Sequence, residues 1–565
     1  MSDGRDRASA SFSYRTAFPW MAIFRLFWTA MDPKKLLVAA VGIVAMSVGW
    51  YFLSAIFYFK PPELTSSKYS NSESGPLLYA ADLAEWQVMA DLAAPSSAGQ
   101  PATANSPGKL PTPAGRFRAM PWDEYRGPNP FLFIVDLLNA PAALWWDMGK
   151  GYFSTVAPVL MEPLAKFLLP IAKIVSPGVS GWTRFYLFLI ILWSLAVWGF
   201  CGGVITRLAA VQLADKGPIS LRQAVRFVAN RYLNFFLTPV LPLAMIAAFV
   251  VGLFIFGCFA LIPFLGDVFL YGLGLPLVIL GGAAMAFLLV GLLGYPLMYP
   301  ALSVEGDSTD AFDTFSRSLN YVYQAPWQYL WLWIVTVFYG AAVTFFVLFF
   351  TSLMVYVGKW AVGLPGGAFD LESRKPEYLF IYAPESFGWK ELLLKDSPYE
   401  LQRIPEMNGA GRRVDVYAPA KPELDAQNRN DFWAYNTLGA RMVAIWLGLI
   451  FLMMLGFSYS FFWCAATVIY YRLRKKIDEA EPDEVYLEEE EPEAPLAPPK
   501  LATGTTPVAP PPPSAMTSLP VISPPVAPPP PVPPPPPIPL ADNAPHAPAT
   551  VPFPNTPNPN GEKTE

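Results

Sequence analysis

Six long apolar stretches, each without a charged residue or histidine in its interior, constrain this chain more than any other feature. They lie at 37–58, 186–206, 237–262, 268–298, 328–357 and 442–470. About 20 helical residues cross a ~30 Å hydrocarbon core. The pattern therefore predicts an all-α integral membrane protein with six transmembrane helices. Ionisable groups inside a membrane normally mark substrate paths and proton relays. None stands in these stretches, so they carry no sign of chemistry within the bilayer.

Composition narrows the classes further. Apolar residues make up 53% of the 565, which fits a membrane protein. The net charge of −5 misleads, because much of the acid lies in Asp478–Glu493. Basic groups flank the spans, and there is no nucleic-acid signal. The single histidine, His546, stands in a Pro-rich tail. Histidine triads, His-ligated zinc and histidine proton shuttles are therefore not expected. Cys201, Cys258 and Cys464 lie far apart in expected spans and read as small apolar residues. No cofactor, metal or enzymatic activity is expected, although carboxylate-only chemistry stays open.

Basic residues set an expected orientation. Arg25, Lys34 and Lys35 precede span 1. Arg207, Lys216, Arg222, Arg226 and Arg231 lie between spans 2 and 3, and Arg472, Arg474, Lys475 and Lys476 follow span 6. All fall on one side if both termini are cytoplasmic. Residues 1–36 then form a cytoplasmic N-terminus, with Phe18–Ala30 as an interfacial amphipathic helix carrying Trp20, Phe24, Phe27 and Trp28. Span 1 (37–59) reads as a retained signal anchor, because no A-x-A-like site follows it.

Two segments face outward, 60–182 and 358–437. In the first, residues 93–120 read as disordered, and Asp123 and Glu124 as solvated turn acids. Amphipathic helices are expected from Pro130 to Val175, kinked by Pro163 and Pro170, lying on the membrane surface or against the bundle. In the second, Glu377–Pro384 (EYLFIYAP) and Arg412–Pro419 (RRVDVYAP) read as two short strands.

The core, 183–357, looks duplicated. Ala224–Pro239 and Ala311–Pro326 each run from Ala to Pro and precede an apolar span. Units of about 183–265 and 266–357 would then form two parallel repeats of span, amphipathic helix and span. Ser220 with Gln223 forms an expected capping box, and Ser308 or Thr309 an expected cap for the second helix. Aligning the copies sets Arg226 opposite Asp313, so the two helices are expected to pack near each other with at least one Arg–carboxylate contact, or else to lie apart with Asp313 paired to Arg317 at i,i+4. The candidate site is this cytoplasmic junction: Arg226, Arg231, Glu305, Asp310, Asp313 and Arg317. The acids at 305–313 lack an EF-hand pattern.

Span 6 covers 438–471. The tail, 472–565, is acidic and then proline-rich. It reads as disordered and polyproline-like, either a ligand for an aromatic-grooved partner protein or a spacer.

Ala301–Trp327 (ALSVEGDSTDAFDTFSRSLNYVYQAPW) and Phe462–Glu490 (FWCAATVIYYRLRKKIDEAEPDEVYLEEE) resemble uncharacterised polytopic membrane proteins of planctomycete-type bacteria. The first segment is also loosely similar to the membrane domain of some glycerophosphodiester phosphodiesterases, whose catalytic domain this chain lacks. The resemblance implies a bacterial cytoplasmic membrane protein and no particular activity. The expected function is a non-enzymatic scaffold or assembly factor in the bilayer. The alternative is a transporter or channel for a neutral or lipid-like solute. A membrane-depth cavity lined by Gly281, Gly282 and Tyr339 would favour transport, and a tightly filled core would favour assembly.

Overall fold

The computed structural model describes residues 24–57, 120–175 apart from 123 and 125, 181–306, 309–368, 376–407 apart from 396 and 398, 413–419, 434–480 and 484–487. In lipid a backbone must satisfy its own hydrogen bonds, and the apolar stretches do so as helices. The helices are α1 (Leu26–Ala30), α2 (Pro33–Phe57), α3 (Pro130–Asn139), α4 (Trp145–Leu160), α5 (Glu162–Val175), α6 (Gly181–Leu213), α7 (Leu221–Asn230), α8 (Tyr232–Ala260), α9 (Leu275–Gly291), α10 (Tyr295–Glu305), α11 (Ala311–Gln324), α12 (Pro326–Ala368), α13 (Trp389–Leu394) and α14 (Ala434–Ile477). Among the described residues, six helical stretches are long and apolar enough to cross a membrane: α2, α6, α8, Leu275–Glu305, α12 and α14. The chain is a polytopic helical membrane protein. At 43 and 44 residues, α12 and α14 exceed the ~20 residues that a crossing needs and run past the expected ends of spans 5 and 6.

The core sits where α2, α6, α10 and α14 meet. Trp198 stacks on Tyr459 at 4.9 Å, Tyr299 lies 4.9 Å from Trp463, and Phe167 of α5 stacks on Tyr295 at 4.1 Å. One glycine sets the closest approach. A Cβ on Gly456 of α14 would stand 2.9 Å from the Leu36 carbonyl oxygen and 3.4 Å from the Ala40 nitrogen of α2. Backbone atoms cannot step aside as a side chain can. Gly456→Leu should therefore cost at least about 1–3 kcal/mol by overpacking. An unchanged melting temperature in mild detergent would refute this contact.

The pair α8 and α9 behaves differently. Only 6% of the most apolar window of α8 is buried, and much of α9 is exposed as well. A π-helix, Leu265–Leu273, joins the two spans, so their far halves form an apolar hairpin suited to lipid. The order span, short helix, span occurs twice, as α6–α7–α8 and as Leu275–Glu305, α11, α12.

Three expectations are refined or corrected by the contacts. Over its described part, Phe24–Ala30, the chain before α2 packs against α14 and α12. The Ser460 hydroxyl donates to the Ala30 carbonyl (2.9 Å), the Tyr339 hydroxyl to that of Phe24 (3.0 Å) and the buried Lys35 Nζ to that of Thr29 (2.8 Å). These side chains satisfy a short backbone stretch that could not satisfy itself. Residues 18–23, with Trp20, lie outside the described residues.

The strand pairing also differs. β1 (Leu401–Met407) pairs antiparallel with β2 (Arg413–Pro419). The segment at 377–384 instead begins as the 3₁₀ turn Pro376–Phe380 and packs against α14. Pro405 hid β1 in the sequence, but proline is tolerated where no third strand needs its missing N–H.

Part of the tail is fixed. The Tyr486 N–H donates to the Val304 carbonyl (2.9 Å), and Arg207 donates to the Tyr486 carbonyl (2.7 Å). The proline-rich runs lie outside the described residues, as do residues 93–119.

Candidate functional site

The most unusual chemistry lies where charge was not expected. Pro158 and Pro163 bracket the break between the two parts of Ala142–Leu160 and Glu162–Val175, which bend by 77°. Neither proline has an N–H to continue a helix through the bend. The bend lays α5 against α6, with Glu162 and Lys166 one turn apart on the same face.

The turn before α3 delivers their partners. Asn129 caps α3 by accepting from the Phe131 N–H, and its Nδ2 donates to Ser352 Oγ of α12 (3.2 Å) and to the Phe387 carbonyl (3.1 Å). This anchor fixes Glu124 and Arg126 over α5. Arg126 Nε donates to Glu162 Oε1 (3.1 Å), Nη1 to the Pro121 carbonyl (2.6 Å) and Ser386 Oγ (3.1 Å), and Nη2 to Glu124. Lys166 Nζ bridges Glu124 (3.3 Å) and Glu162 (3.2 Å) and stands 5.7 Å from the Trp50 ring centre. The Tyr459 hydroxyl donates to the second oxygen of Glu162 (3.2 Å).

The four charged side chains are only 3–9% exposed, so the set is closed to water and balanced, two cations against two carboxylates. Burial opposes the charge on Arg126, but Glu162 and Glu124 outweigh it and hold its pKa above the ordinary arginine value. The cluster also joins the two loop segments: the Glu385 and Ser386 N–H groups both donate to the Trp122 carbonyl (2.9 and 3.1 Å).

Its inner edge reaches membrane depth. A small cavity there is lined by Met46, Pro163, Lys166, Phe167, Ser194, Leu195, Trp198, Tyr295 and Tyr459. Met46 is about 20 Å from one end of α2 and about 17 Å from the other. The cavity leaves about 10 Å³ open to a water's centre, close to the minimum for one water molecule. The interiors of the six spans hold no charge, yet buried charges pack against them. The charges come from a bent helix pair and a loop, which the spans themselves do not reveal. Glu124 is buried and paired; Asp123 lies outside the described residues.

On the α7–α11 face, the expected junction forms in part. Glu305 closes α10 and accepts from Arg474 Nε (3.0 Å), Arg317 (3.3 Å) and the Tyr470 hydroxyl (3.0 Å). Burial works against Arg317's charge, and Glu305, Tyr470 and Asp313 together raise its pKa. Arg474 also donates to the Glu484 carbonyl (2.8 Å), and Arg207 to that of Ser303 (2.6 Å). Tyr486 lies across Gly306, whose φ of +69° suits glycine and where a Cβ would meet the ring.

The other junction candidates fall elsewhere. Asp313 pairs with Arg317 (3.4 Å) and not with Arg226, so the expected contact between the aligned helices is absent. Sequence alignment placed those residues in register, but register does not bring helix faces together. Asp310 caps α11 by accepting from the Asp313 N–H (2.8 Å), because its extended backbone aims the carboxylate at that group; the cap is not Thr309, and Ser308 lies outside the described residues. Ser220 and Gln223 form the expected capping box of α7. Arg231 stands over the Phe227 ring at 4.1 Å and 5.4 Å from that of Tyr486.

Sequence reasoning missed Glu124, Arg126, Glu162, Lys166 and Arg474 as partners. One signal was present: Glu162 and Lys166 interrupt the apolar face made by Val159, Phe167 and Pro170. No family model, curated protein or solved structure matches the chain.

Proposed function

We propose that this protein is a non-enzymatic membrane scaffold or assembly factor, placed in a bacterial cytoplasmic membrane with the α7–α11 face and both termini in the cytoplasm. The observation that carries this reading is the closed centre: every charge there is paired, and the cavity beside Lys166 takes about one water. A solute path needs a group left free to bind and space to bind in.

The same contacts suit a frame. The Arg126 cluster fixes both loop segments to the bundle as a platform facing outward, and the Glu305–Arg474–Tyr486 contacts fix the point where the proline-rich tail departs. The twice-written span–helix–span order is read as a duplicated structural unit. The features expected of a solute site give the transport alternative no support: Gly281 packs on Leu253, Gly282 faces open space, and Tyr339 contacts Phe24 and Phe461.

Co-purification in mild detergent tests the proposal, comparing full-length protein with a form ending at Leu487. The scaffold reading expects defined protein partners with the full chain and their loss with the tail. A stoichiometric non-lipid solute retained by both forms, with no protein lost, would count against it.

A further inference from the structure

We infer that α7 is a binding site for acidic phospholipid, with Arg222 and Arg226 as the residues that hold the headgroup phosphate. α7 connects two membrane-crossing helices through short turns, so it must lie at the edge of the bilayer. Its apolar side is used up inside the protein: Ala224, Phe227 and Val228 are buried. The Phe227 ring is held between Arg207, at 3.8 Å, and Arg231, at 4.1 Å, which fixes the helix's rotation.

That rotation turns Arg222 and Arg226 outward. They stand four residues apart on one face, and both are exposed. Neither has an ion pair or hydrogen bond among the described residues. α7 carries no acidic residue at all. The contrast with α11 is direct, because Arg317 there is taken by both Asp313 and Glu305.

Two free guanidiniums on one helix face at a bilayer edge complement a phosphodiester, which accepts paired N–H bonds from arginine. The surface of an acidic leaflet supplies that group at high local concentration. Lipid is therefore the occupant favoured over a free anion.

Full-length protein in mild non-ionic detergent would be titrated with phosphatidylglycerol, with phosphatidylcholine of the same chains, and with inorganic phosphate, and bound species counted by native mass spectrometry. Phosphatidylglycerol should bind in preference to phosphatidylcholine. Losing both arginines in R222Q/R226Q should weaken phosphatidylglycerol binding about 30-fold, with phosphatidylcholine binding unchanged. R222K/R226K should keep most of the preference, because the charge remains. Both side chains are exposed, so the variants should melt as the parent does, and that measurement checks that each is folded. Three results would overturn the proposal: parental phosphatidylglycerol binding by folded R222Q/R226Q, equal binding of the two lipids by the parent, or displacement of phosphatidylglycerol by equimolar phosphate.

Discussion

Arg126→Met is expected to destabilise the protein by about 3–5 kcal/mol, the usual cost of removing one partner from a buried charge set. The substitution nearly preserves the apolar volume but leaves Glu124 and Glu162 facing Lys166 alone, with one negative charge uncompensated at 4–9% exposure. It also breaks the bonds to Ser386 and to the Pro121 carbonyl that hold the two loop segments together. Two readouts should move in step: the melting temperature in mild detergent should fall, and proteolysis between residues 120 and 130 should accelerate. Lys166→Met should behave similarly. The double variant E162Q/K166M removes one charge of each sign and keeps the Glu124–Arg126 pair. It should therefore be more stable than either single variant, because the sums remain neutral. Additive losses would mean that the four groups do not act as a set.

The second large effect is expected at Glu305. Its carboxylate receives Arg474, Arg317 and Tyr470 at 3.0–3.3 Å with 12% of its side chain exposed. Hydrogen bonds to charged groups are worth about 1.5–3 kcal/mol each, and the three here are not independent. Glu305→Gln should cost about 2–3 kcal/mol by leaving Arg474 short of a counter-charge. Because Arg474 also holds the Glu484 carbonyl, the strap at 484–487 should loosen. Faster cleavage near Tyr486 by added protease would report this. Unchanged stability and unchanged cleavage together would show that the junction contributes nothing.

These two sites differ in how far the sequence revealed them. The six spans were legible because lipid imposes a length and an apolar interior that few other folds require. The α7 cap was legible because Ser220 and Gln223 act within one helical turn. Glu305 and Arg317 were legible as neighbours because only α11's first turns separate them. Their third partner, Arg474, lies more than 150 residues away, and nothing local announces it.

The central cluster was hidden for the same reason, with a further one. Asp123–Glu124 in a turn looks solvated, and Glu162 with Lys166 looks like a surface pair. The 77° bend between α4 and α5 turns Glu162 and Lys166 inward, and the turn before α3 brings Glu124 to them. The prolines that permit the bend were visible, but the turn carrying Glu124 and Arg126 is anchored by Asn129 reaching Ser352 and Phe387, contacts of long sequence separation.

The closed centre is the claim on which the scaffold reading stands, and water access tests it most directly. Ser194 lines the cavity beside Lys166, accepts from the Trp50 indole (3.0 Å) and is 5% exposed. In a chain with Cys201, Cys258 and Cys464 replaced by serine, Ser194→Cys would be exposed to a small membrane-impermeant thiol reagent added to either side of sealed vesicles. A centre that is shut predicts no modification from either side while the protein stays folded. Rapid modification from one side or both would reveal a water path to Lys166 and contradict it.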